Sequence, residues 1–389
     1  MLDVLIVGAG PAGSVAGAIL ARAGARVRIV DRATFPRDKL CGDTINPGTL
    51  ARLRSLDLDA GIDQRALRVD GMRVTGERGD AIEARYPGGL SGRALPRRDL
   101  DWLLLQQAVS AGCQFEPGVA VRRAIVDDGS GAPLVLGAMV GSARRESPIN
   151  ARVTIAADGR HSTIAFGLGL ARHPARPRRW AIGAYFENFL PGGVGRLTLG
   201  EMHVRRGYYI GVAPVPGSLT NVCLVKPSFA GDTALGDPAA ALKSALAHDL
   251  LLRDRAAGAR LIGSPTVLGP LAVDVRDAAI DGLLVAGDAA GFIDPMTGDG
   301  LRFATCGGEL AAGAALTALA QGWSGVHAGL MAERRRAFGG KWKFNRAIRA
   351  LVASPRAMIV AAAGARMAPS VVHAVVARAG DCSAAAPGG

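Results

Sequence analysis

Three turns in this chain combine small residues with an acid in a pattern suited to holding phosphate and ribose. The first is Gly8-Ala9-Gly10-Pro11-Ala12-Gly13, a G-x-G-x-x-G run that follows the apolar stretch 4–7. Gly8 permits the tight turn, Gly10 removes the side chain that would keep the backbone from a pyrophosphate, and Gly13 lets a helix lie close to its strand. Amides at the start of that helix favour a bound anion. Asp31 ends the next expected strand, 26–30, about where an acid meets a ribose hydroxyl, and Arg32 follows it. The second turn, Asp158-Gly159, ends the buried run 153–157, and the third, Gly287-Asp288, ends the run 282–286. A lone glycine motif says little. Strand, turn, helix, strand and acid in succession predict a dinucleotide site over residues 4–31, with FAD and a nicotinamide both open.

The elements that must position these residues fit a chain of 389 residues with an apolar fraction of 49%, which allows two or three domains with ordinary buried cores. The formal net charge of +13 would suit an anionic partner, but aromatic residues are only 5% and no recognition motif accompanies the charge, so nucleic acid is set aside. The five cysteines are odd in number, scattered and without a C-x-x-C pair, and the six histidines lack metal spacing. This composition predicts a reducing compartment and no metal site. No basic, apolar leader precedes residue 4, which gives the expectation of a cytoplasmic protein.

Read in order, the glycine unit is followed by a polar loop, 32–43, longer than a connector needs. Alternating residues 67–86 predict hairpin strands, and 102–111 an amphipathic helix. Strands are expected at 115–126 and 133–140, and four more at 180–186, 194–202, 208–215 and 220–225 form one antiparallel sheet. Residues 237–256 read as helix, 301–319 as a long Ala-rich helix, and 328–379 as helical with basic clusters at 334–336 and 341–343. The expected fold class is α/β: a Rossmann-type nucleotide domain from residues 1–70, 97–171 and 269–325, an antiparallel-sheet substrate domain from 71–96 and 172–268, and C-terminal helices with a disordered tail from 326–389. The apolar tract after the basic clusters never reaches the length of a clean span, and the pair resembles an interfacial helix, an expectation of peripheral membrane contact.

At the level of motifs the sequence resembles the two-domain flavoprotein superfamily of the aromatic hydroxylases, and within it the geranylgeranyl reductase branch, over residues 1–320. The run G-D-A-A-G-F-I-D-P-M-T-G-D-G at 287–300 matches that family, as do Arg97 in R-x-x-L-D and the P-x-x-x-x-C-G of Pro36 to Gly42. The resemblance implies FAD held by the glycine turn, Asp31 and Arg32. It places Asp288 on the ribityl chain, Arg97 on the phosphates and ribityl chain, and Pro295, Gly298, Gly300 and Leu301 at the isoalloxazine ring. The hydroxylases carry His after G-D-A-A, whereas Gly291 here is as in the reductases and halogenases, and the tryptophan motif of tryptophan halogenases is absent.

The family's Y-x-W-x-F-P falls on Tyr209, Gly211 and Ala213, the substrate-binding candidates, with the aromatic wall missing and a wider pocket predicted. The D-G-x-x-S-x-x-R pattern ends in Ala165, which removes one cation. Cys41 is the catalytic candidate: a thiol beside the flavin can donate a proton to a substrate carbanion, or simply pack against the ring. The expected activity is an FAD-dependent oxidoreductase in which NAD(P)H reduces the flavin and a hydride then passes to a C=C bond of a hydrophobic isoprenoid, quinone or polyketide-like substrate. The rivals are a monooxygenase and an FAD-bound electron-transfer partner at a membrane.

Overall fold

The apolar N-terminal run forms the strand Leu2–Val7, with Val4, Leu5 and Ile6 fully buried, as a strand covered on both faces requires. The structure, a computed structural model, describes residues 2–129, 131–142, 145–175, 179–192, 197–227, 232–276, 279–292, 296, 298–353, 357 and 369–385. Parallel to Leu2–Val7 runs Val27–Asp31, with Val4 opposite Val27, and the helix Pro11–Arg22 joins the two. Gln114–Pro117 extends the sheet on one side, and Arg145–Ala156 and then Leu283–Val285 on the other, all in parallel. The first half of Arg145–Ala156 also pairs antiparallel with Leu134–Ser142, which pairs with Val121–Asp127. Alternation sorts the first strand between two cores. Val4 and Ile6 face the helices Pro11–Arg22, Arg97–Ser110 and Gly300–Gln321, while Leu5 and Val7 face Val135, Ala138 and Ile164.

The second sheet has seven strands in the order Arg260–Leu268, Arg179–Glu187, Leu219–Pro227, Tyr208–Val215, Leu199–Arg205, Gly71–Thr75 and Ala81–Arg85. It is not purely antiparallel, because Leu199–Arg205 pairs in parallel with Gly71–Thr75, the hairpin delivered by the earlier crossing of the chain. The edge strand Arg260–Leu268 carries no clean alternation and was not expected. Residues 237–256 split into the helices Pro238–Ala247 and Arg253–Ala256 because buried Asp249 accepts from the amides of Leu251 and Leu252 and pairs with Arg205 at 2.6 Å. The fold class is therefore α/β, a Rossmann-type unit with a sheet-based second unit and C-terminal helices.

The C-terminal helices are Val326–Ala353, which carries both basic clusters, and Pro369–Ala379, within the expected apolar tract. Lys341 is only 2% exposed, and Arg334 donates to the Val285 carbonyl, so two cations of the expected basic patch point inward. Among the described residues, Gly300–Gln321 has the length and apolarity of a membrane span, yet its Ala311, Ala312 and Ala315 are fully buried in the core. Residues 358–368, within the expected apolar tract, and 386–389 of the expected disordered tail lie outside the described residues.

Candidate functional site

A cavity of about 490 Å³ opens where the glycine turn, the loop after the second strand and the second sheet meet. Gly8 sits at φ +102°, and a Cβ there would come 2.5 Å from the Ala157 carbonyl oxygen, so the turn is seated against the Asp158 turn. At Gly13 a Cβ would lie 1.9 Å from the Gly8 carbonyl oxygen. Among the described residues a Cβ on Gly10 would meet only Arg37 Nη2, at 3.6 Å, which leaves the backbone there accessible from the cavity. Gly8, Gly10, Ala12, Asp31 and Arg32 line the cavity, while Gly13 stands behind it and closes the turn. The Asp31 carboxylate accepts from the amides of Ala9 and Ala33, each at 2.8 Å, and so braces the turn it faces.

Around the middle of the cavity stand Arg97, Asp158 and Asp288, as the sequence suggested, joined by Arg37, Lys39 and Arg160, which it did not single out. Asp158 takes the Thr163 amide on one oxygen and has no partner on the other; Arg37 Nη1 and Arg160 Nε are likewise buried without a hydrogen bond among the described residues. Burial pushes the Asp288 carboxyl up, against the pull of Lys39, Arg97 and Arg160. Burial and the neighbouring Arg160 and Arg97 push Lys39 down to about 8. Arg160 supplies a cation on the same turn whose pattern ends in Ala165 instead of Arg; Ala165 is fully buried and its amide caps on Ser162. His161, on the same turn, is exposed and lines the same cavity.

Arg97 forms a two-pronged ion pair with Asp101, at 2.6 and 2.8 Å, and Arg37 shares that fully buried carboxylate at 3.1 Å. Burial works against the guanidinium charge, but Asp101 more than offsets it and raises the Arg97 pKa. Arg97 also faces the Cys41 sulfur. Burial raises the Cys41 thiol despite that cation, which keeps it protonated and able to donate.

The loop carrying Cys41 is pinned by Asp43, a fully buried carboxylate at φ +53°. It accepts from Tyr185 Oη at 2.7 Å, from the Arg97 amide at 3.1 Å and from Asn221 Nδ2, which also donates to the Cys41 carbonyl at 2.8 Å. Burial raises the Asp43 carboxyl to about 6 even against those donors. Its folded pKa thus lies above the unfolded value, so it stabilises the fold below about pH 4 and that stabilisation is lost as pH rises through 6. We expect the stability gap between wild type and Asp43→Asn, followed by urea unfolding, to shrink by about 2 kcal/mol between pH 4 and 6.

Towards the second sheet the lining is apolar: Leu40, Ala181, Leu268, Leu271 and Phe292, with Cys223. Tyr209, Gly211 and Ala213, the expected substrate contacts, are not part of this lining. They lie opposite Val225, Cys223 and Asn221 on the adjacent strand. The displacement has a cause in Leu40, whose Cδ1 would be 2.1 Å from a Cβ on Gly183; the loop docks there and draws the cavity onto strands Arg179–Glu187 and Leu219–Pro227. Among the described residues a Cβ on Gly211 would meet only the Cys223 carbonyl, at 3.9 Å, so none of them fills the space of the missing aromatic wall. Gly298, Gly300 and Leu301 line the cavity; Pro295 lies outside the described residues. Among the described residues no group of His, Cys, Asp and Glu could hold a metal ion.

A glycine turn on a parallel sheet, two further acid-bearing turns and one shared cavity define a dinucleotide-binding flavoprotein, and the family model of the FAD binding domain matches residues 1–188. The chain is 32% identical over 332 residues to the menaquinone reductase of Mycolicibacterium smegmatis, covering 80% of this chain and 75% of that one. It is 30% identical over 341 residues to digeranylgeranylglycerophospholipid reductase 2 of Methanopyrus kandleri, covering 80% and 76%. It belongs to the geranylgeranyl reductase family of FAD-dependent oxidoreductases. A geranylgeranyl bacteriochlorophyll reductase-like protein from Thermoplasma acidophilum shares the fold at TM-score 0.75 and 21% identity over 96% of this chain and 90% of that one. A flavin-dependent brominase shares it at TM-score 0.82 and 22% identity, over 98% and 94%.

Proposed function

We propose that this protein is a reductase that saturates a C=C bond in a hydrophobic, isoprenoid-bearing substrate, a quinone or a lipid, with NAD(P)H as electron donor. The observation that carries the proposal is that Cys41, whose thiol burial pushes up, lines one cavity together with the nucleotide turns and the apolar residues Leu40, Ala181, Leu268, Leu271 and Phe292. The curated relatives named as reductases of a menaquinone and of a digeranylgeranyl lipid support the same reading.

FAD fits the residues present. Open backbone at Gly10 and the unpartnered atoms of Arg37, Asp158 and Arg160 suit a pyrophosphate and hydroxyl-bearing ligand, and a carboxylate on Asp288 or Asp31 suits hydroxyl donors. When bound, FAD would supply the hydride for one carbon of the double bond. The chain does the rest. Asp31 and Arg32 take the adenosine end, the glycine turn and Arg97 the phosphates, Asp288 the ribityl chain, and the turn Gly298 to Leu301 the ring end. Leu40 and the second sheet exclude water. Cys41 gives its proton to the other carbon, and the thiolate takes one back from solvent once the product has left.

Turnover under strict exclusion of oxygen tests the proposal. With reduced nicotinamide and a menaquinone or geranylgeranyl lipid, a product two hydrogens heavier is expected without oxygen. An oxygenated product, made only in air and carrying label from dioxygen, overturns it in favour of a monooxygenase. Cys41→Ser should retain FAD while its turnover falls about a hundredfold, the usual reach of a positioned proton donor. Full activity in that variant would reduce Cys41 to a packing role.

A further inference from the structure

Lys341 ranks among the largest fully buried side chains of the molecule, and it lies in Val326–Ala353, a helix outside the nucleotide turns. Its ammonium donates to the carbonyls of Arg378 at 2.5 Å and Ala379 at 2.9 Å and forms an ion pair with Asp299 at 2.9 Å, so each of its three donors is used. Asp299 is itself 2% exposed, and its second oxygen has no partner among the described residues. It stands between Gly298 and Gly300, both in the cavity wall, at the start of the helix Gly300–Gln321, without capping any amide. Arg302 on the next turn is occupied by Asp381.

A buried carboxylate that caps nothing is an expensive way to begin a helix, and a neutral Asn would serve the backbone equally well. The pair therefore needs another explanation. At the ring end of the cavity, an unneutralised carboxylate would oppose the negative charge that a flavin gains on reduction, cancelling the favourable field of the helix amides. We infer that Lys341 is a positioning and tuning residue: by neutralising Asp299 it sets the reduction potential of the bound flavin from the C-terminal helix. This inference rests on the reading of Gly298 to Leu301 as the turn at the flavin ring.

The test is the midpoint potential of the FAD-loaded protein, measured by anaerobic dye equilibration, for wild type, Lys341→Met, Asp299→Asn and the double variant. Asp299→Asn is nearly isosteric and leaves Lys341 its two carbonyl partners, so it reports even where Lys341→Met folds poorly. Lys341→Met should shift the oxidised-to-reduced equilibrium at least tenfold towards oxidised flavin, and Asp299→Asn tenfold towards reduced, about 30 mV each for a two-electron couple. The double variant should return close to wild type. Unchanged potentials with FAD retained, or shifts of both single variants in the same direction, overturn the inference while leaving the flavin site standing. A wild-type protein that cannot be loaded with FAD overturns the site reading, and this inference with it.

Discussion

Gly13→Ala yields a protein without FAD and with a markedly lowered melting temperature. The added methyl would sit 1.9 Å from the Gly8 carbonyl oxygen and about as close as van der Waals contact forbids to Ile6 Cγ2, at 3.1 Å. Neither neighbour can yield. The Gly8 amide donates to Val30 at 2.8 Å, and the turn is already wedged against Ala157. The helix Pro11–Arg22 must then lift from its strand, taking its first amides away from the cavity. Absorbance of the purified protein near the flavin bands and a thermal melt are the measurements. The control is Gly313→Ala, at an exposed helix position where a Cβ would meet nothing within 4 Å among the described residues, which should keep FAD and gain about 0.5–1 kcal/mol of helix stability.

Arg97→Met should cost about 3–5 kcal/mol in urea unfolding, because it removes the two-pronged partner of a carboxylate with no exposure and leaves Asp101 to Arg37 alone. Release of FAD should accompany it, since Arg97 faces both the cavity and Cys41. Arg26→Met is the contrast. That guanidinium is 65% exposed in its pair with Asp3, where water and salt screen the charge, and its loss should leave the unfolding midpoint almost unmoved. An Arg97→Met protein as stable as wild type would show that Arg37 suffices for Asp101.

The nucleotide turns were legible in the sequence because their chemistry is local: a glycine at positive φ, a helix start and an acid at a strand end are set by neighbours in the chain. Arg37, Lys39 and Arg160 were harder to read. Each sits in a loop at a position any polar residue could fill, and the carboxylates they face come from elsewhere in the chain, Asp101 paired with Arg37 and Asp288 acting on Lys39 and Arg160. The alternation of Tyr209, Gly211 and Ala213 places them on one face of their strand, but which strand lies beneath the cavity depends on Leu40 meeting Gly183, a contact made only in the folded chain. Lys341 shows the same limit in sharper form. In sequence it belongs to a basic cluster, the pattern of a solvated or membrane-facing helix, and only Asp299 and two carbonyls from the following helix make it a core residue.

The path of the chain through the two sheets also bears on how the molecule is made. Leu283–Val285 completes the parallel sheet beside Arg145–Ala156, and Gly287, Asp288, Gly298, Gly300 and Leu301 close one wall of the cavity. The Gly48 amide, near the start of an early helix, donates to Gly380 at 3.0 Å. A nascent chain emerging from the ribosome therefore exposes the glycine turn long before these late segments exist, and holds an open trough until they arrive. On that order the cavity is complete only once Leu283–Val285 has joined the sheet and Gly298, Gly300 and Leu301 have closed the wall, and a chain halted before them would lack Asp288 and one side of the site.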